Sequence, residues 1–160
     1  MRSIRVLAAA APALALLAVA PPALAHARQL CVPVRLAGAG HDLPPDSPGN
    51  LRTAATISLG RIVVGTTAAT FTPSGPPVGT TLTFTGPIVF TPARGNATVT
   101  AQVVGSVDVV SGQFTAASTQ LTGSGALAPV SGTVTFAGTE DFSSGAFTET
   151  ITGRVCAPVH

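Results

Sequence analysis

Past residue 25 the chain is built on an alternation of period two. Threonine and serine alternate with valine, leucine, isoleucine and phenylalanine, and glycine or proline interrupts the pattern roughly every eight to twelve residues. Leu82 and Phe84 alternate with Thr81, Thr83 and Thr85; Val99, Ala101 and Val103 with Thr98, Thr100 and Gln102; Val134 and Phe136 with Thr133 and Thr135. In each segment the apolar set falls on one face of a strand and the polar set on the other. Further strands are predicted over 29–36, 53–59, 61–72, 87–91, 106–110, 113–122 and 146–156. Turns are predicted at Pro73–Pro77, Ala93–Asn96, Gly123–Gly125 and Ser143–Gly145. Residues 37–50, rich in alanine, glycine and proline, read as a flexible surface loop, with a lid or binding loop as the functional alternative. No apolar stripe of period 3.6 survives past residue 25. The pattern therefore predicts one all-β domain over residues 26–160. It is read as an antiparallel β-barrel of roughly eight strands, with a β-sandwich as the alternative.

The N-terminal 25 residues follow another rule. Arg2 and Arg5 precede an apolar run from Val6 to Ala20, and Ala23-Leu24-Ala25 offers a small-x-small cleavage pattern. This predicts a signal peptide over residues 1–25, with cleavage after Ala25 or Ala27 and no integral membrane span afterwards. Loss of Arg2 and Arg5 changes the charge argument. The whole chain is formally +2, but six arginines then face six acids, so the basic balance belongs to the signal. With no tryptophan, tyrosine or lysine, nothing supports a base-stacking nucleic-acid surface. Arginine without lysine, together with abundant alanine, glycine and proline, points to high-GC coding and a bacterial envelope or secreted protein. The expected location is secreted or periplasmic.

The two cysteines, Cys31 and Cys156, lie near the two ends of the mature chain. In an exported protein they are expected to form one disulfide. Such a bond brings the first and last strands together, because its Cα atoms must lie within about 7 Å.

Candidate chemistry concentrates on the last strand. There Phe147, Glu149, Ile151 and Val155 share one face, and Thr148, Thr150, Thr152 and Arg154 the other. A carboxylate among apolar neighbours must be paired, protonated or set against a cavity. Glu149 is thus a candidate ligand anchor or general acid, Phe147 lies beside it, and Arg61 is a candidate partner on the face that carries Leu51, Thr53, Ala55, Ile57 and Leu59. A structural ion pair is the alternative reading.

Other chemistry has less to stand on. Cleavage after Ala25 exposes His26, whose amine and ring could hold copper with His41 or His160, as at the start of secreted copper proteins. Nothing downstream supports that reading, and no metal or cofactor is expected. Threonine rows such as Thr148-x-Thr150-x-Thr152 fit an ordinary solvent-facing strand better than an ice-binding face. Glu140-Asp141 reads as a solvated pair in a turn. There is no Gly-x-Ser-x-Gly elbow and no zinc, calcium or phosphate-loop spacing.

The expected function is non-enzymatic: binding a small apolar ligand or another envelope component, or serving at the cell surface. In architecture and Thr/Gly-rich texture the chain also resembles the small β-barrel cyclases of the allene-oxide-cyclase and dirigent type. That resemblance implies polar residues inside an apolar cavity, with Glu149 as the interior acid of a barrel enzyme.

Overall fold

In the computed structural model, which describes residues 29–158, the alternating segments form eight strands. These are β1 (Gln29–Leu43), β2 (Leu51–Leu59), β3 (Ile62–Pro73), β4 (Thr81–Pro92), β5 (Val99–Asp108), β6 (Gln113–Gly123), β7 (Ser131–Asp141) and β8 (Ala146–Pro158). Each strand pairs antiparallel with the next, and β8 returns to pair with β1, so the sheet closes into a barrel without a free edge. The predicted signal over residues 1–25, His26 and His160 lie outside the described residues. No helix among the described residues is long and apolar enough to cross a membrane.

The closing seam carries the disulfide. Cys31 and Cys156 face each other directly in the β1–β8 ladder, with Cα atoms 3.9 Å apart and sulfurs bonded. The bond clasps the terminal strands, as their place in the sequence predicts.

Several element boundaries differ from the expected ones. Residues 37–43 belong to β1, so the loop spans only residues 44–50. Small residues there reflect close packing: a Cβ on Gly38 would lie 2.6 Å from Glu149 Cγ, and one on Gly40 would lie 2.5 Å from Phe147 Cζ. Segments 81–85 and 87–91 are one strand, β4, running through Gly86-Pro87. The β3–β4 ladder skips between Ala69↔Ile88 and Thr72↔Thr85, which accommodates a proline that has no N–H to donate. The segments over 98–103 and 106–110 likewise join into β5, which ends at Asp108. Val109 and Val110 lie in the following turn, where Asp108 Oδ1 accepts from the Val110 N–H at 3.0 Å and the Ser111 N–H at 2.7 Å.

Inside the barrel, large side chains lie over glycines on neighbouring strands. Phe84 faces Gly105, Phe90 faces Gly65, and Phe114 faces Gly138, each ring atom 2.5 or 2.6 Å from where a Cβ would be. Ile57, Val103, Leu121, Val134, Phe136 and Ile151 fill one half of the interior. Val130, from the β6–β7 connection with its 3₁₀ turn at Gly125–Leu127, is buried in the same cluster. The other half, towards the loops at 44–50, 74–80, 109–112 and 142–145, is not filled. Threonines 133, 135, 148, 150 and 152 are exposed on the outer wall of the barrel.

Candidate binding cavity

The unfilled half holds a cavity of about 90 Å³. Its wall is largely apolar, with Phe71, Phe84, Phe114, Phe136 and Phe147 as its rings. The rings are set by their strands. Phe71 and Phe84 meet across β3 and β4 with centroids 4.9 Å apart, and Phe114 and Phe147 meet edge to face at 6.2 Å. Ile88, Ala69 and Ala116 complete much of the remaining wall, and Thr53 and Thr67 supply hydroxyls.

Two acids line this cavity, Glu149 and Glu140. Glu149 projects from β8 between Gly138 on β7 and Gly38 on β1, its ladder partners on the two sides. Both neighbours lack a side chain, so the carboxyl is flanked by backbone. Burial pushes Glu149 up to about 7, and no charge or hydrogen bond from the described residues offsets that effect. Near neutral pH its carboxyl is therefore close to half protonated. It can donate a hydrogen bond as the acid and accept one as the carboxylate.

Glu140, two residues beyond Gly138 on the same face of β7, sits beside Phe147 in the ladder. It corrects the expectation of a solvated pair: Glu140 turns inward, and only Asp141 is exposed. Burial and the neighbouring Asp42 carboxylate push Glu140 up to about 7. Asp42, on the inward face of β1, is itself raised by burial, and its Oδ1 is buried with no hydrogen-bond partner. The signal for both residues was the same alternation that placed Glu149. Val134, Phe136, Gly138 and Glu140 form one series; Leu36, Gly38, Gly40 and Asp42 form the other.

Of the residues picked out from the sequence, the barrel brings Glu149 and Phe147 together on the cavity wall. Arg61 does not join them. β2 ends at Leu59, and a two-residue turn follows with Gly60 at φ +61°. Arg61 is exposed in that turn, at the end of the barrel away from the cavity. His41 is exposed on the outer face of β1, and no group of three His, Cys, Asp or Glu side chains suited to a metal occurs among the described residues.

No protein-family model and no curated protein sequence matches the chain. Solved structures do. The pterocarpan synthase dirigent protein PsPTS1 is similar with a TM-score of 0.54 at 13% identity, over 82% of this chain and 97% of that one. The pterocarpan synthase dirigent protein GePTS1 is similar with a TM-score of 0.58 at 12% identity, over 88% of this chain and 98% of that one. At this identity the likeness is one of fold, the closed eight-stranded antiparallel barrel.

Proposed function

We propose that the protein is an exported barrel that binds a small, largely apolar molecule inside its open half, with Glu149 as the polar anchor. The observation that carries this reading is an unfilled cavity walled by phenylalanine rings with one largely buried, unpaired carboxyl on it. A filled core would have been the more stable solution, since an apolar void forfeits contacts on every side. A cavity of about 90 Å³ suits a short chain or a small ring. Any larger body stays in the mouth beside Glu140. The disulfide supports an oxidising compartment outside the cytoplasm.

A second reading is an enzyme of the dirigent-like type, in which Glu149 moves a proton to or from the enclosed molecule. The fold likeness and an acid poised near neutral pH favour it. Under that reading Glu149→Gln abolishes turnover while leaving binding in place.

The binding reading is tested with 1-butanol, followed by methyl resonances of Ile88, Leu82 and Val107. Saturable shifts at these residues, lost when Ala116→Leu fills the wall, are expected. Shifts that grow linearly without saturation, or that survive the filled wall, contradict it.

A further inference from the structure

We infer that the molecule the cavity takes is a small apolar amine, held as its ammonium ion against the Glu149 carboxylate. The inference rests on the binding reading above and narrows it to one ligand chemistry.

The electrostatic character of the cavity is one-sided. From β8 the wall presents Glu149, from β7 it presents Glu140, and Asp42 of β1 faces Glu140 at the mouth. The lining residues from β2 to β6 are apolar or hydroxyl-bearing, so they add no titratable group. No arginine of the described residues lines the cavity: Arg35, Arg61, Arg94 and Arg154 are exposed, and Arg52 bonds Asp46 at 3.7 Å. Among the described residues, the one basic side chain near these acids is His41, which acts on Asp42 from the outer face. An anionic ligand thus meets repulsion at both depths of the cavity, whereas a cation supplies the counter-charge that the wall withholds.

The rings add a second reason. Phe147 lies two residues from Glu149 on the same face, and Phe114 pairs with Gly138, the neighbour of Glu149. An ammonium group at the Glu149 carboxylate therefore sits beside two aromatic rings, which attract cations through their faces. Its alkyl part occupies the space walled by Ile88, Phe84 and Ala116. A neutral alcohol of the same shape gains the apolar contacts but only a neutral hydrogen bond. Binding of the ammonium ion to the protonated protein releases the Glu149 proton to solvent, so affinity rises with pH as that proton becomes easier to remove.

The test compares n-butylamine, 1-butanol and butyrate by calorimetry at pH 5 and pH 8. At pH 8 butylamine should bind about tenfold or more tighter than 1-butanol, the worth of one charge-assisted contact. The preference should shrink at pH 5 and vanish in Glu149→Gln, and butyrate should bind weakest. In the unaltered protein, the Glu149 13Cδ titration midpoint should fall when butylamine is added, a readout that does not depend on any variant. Equal affinity for amine and alcohol at pH 8, or a preference that persists in Glu149→Gln, overturns the inference but spares the cavity reading. Binding of neither compound overturns both.

Discussion

Glu149 is the residue on which the interior turns. Its ordinary carboxyl pKa is 4.5, and burial in the barrel lifts it to about 7. The folded state therefore holds a proton that the unfolded chain releases, and stability falls as pH rises between these two values. The difference is worth about 3 kcal/mol for a group this well buried. Glu149→Gln removes the titration, so urea unfolding should show the variant gaining stability over the parent between pH 5 and pH 8, by up to ~3 kcal/mol. Equal slopes against pH in the two proteins would mean that Glu149 is not held as an acid. Gly38 sets where that acid points. Gly38→Ala places a methyl 2.6 Å from Glu149 Cγ and Oε1. It should cost about 1–3 kcal/mol and drive the carboxyl towards water, returning its titration towards 4.5. Glu149 and Phe147 were legible in the sequence because an unbroken alternation runs through β8. Asp42 and Glu140 obey the same alternation, but each sits at a strand end beside turn-forming residues, and composition there outweighed periodicity.

At the scale of elements, interruptions decided what the sequence disclosed. Gly86-Pro87 looks like a turn, yet β4 runs through it because the ladder to β3 skips at that point. β2 stops at Leu59, so Arg61 falls not on the expected inner face but in the exposed two-residue turn that joins β2 to β3. The turn after β5 is held by an acid the strand pattern does not reveal. Asp108 accepts from Val110, Ser111 and Thr80, which lower its pKa from 3.8 to about 2. A depressed carboxylate contributes stability that is present above its unfolded value and lost as pH falls through the folded one. Asp108→Asn should therefore remove stability at pH 5 and above but have little effect near pH 2. Hydrogen exchange at Val110 and Ser111 reports it directly. Slowed exchange that is unchanged in the variant would show the turn to be held by something else.

For the whole molecule, the periodicity predicted a closed barrel and the cysteines predicted its seam, and both are present. A cavity is harder to read, because it is a property of side-chain volumes summed around eight strands. Only the setting of Phe84, Phe90, Phe114 and Phe147 against glycines hints at how the interior is shared between rings and open space. The clasp should matter to stability more than to shape. Replacing both Cys31 and Cys156 with serine frees a loop of 125 residues, which should cost about 4–5 kcal/mol in the chain-entropy account while leaving a β-type circular dichroism spectrum. A spectrum of unfolded chain at neutral pH would instead make the disulfide a condition of folding. The interior itself is tested most directly by titrating the 13Cδ resonance of Glu149 in the ligand-free protein. A midpoint near 7 places in an apolar cavity a carboxyl that still holds its proton about half the time at neutral pH. A midpoint at the ordinary 4.5 would put that carboxyl in water and contradict the account.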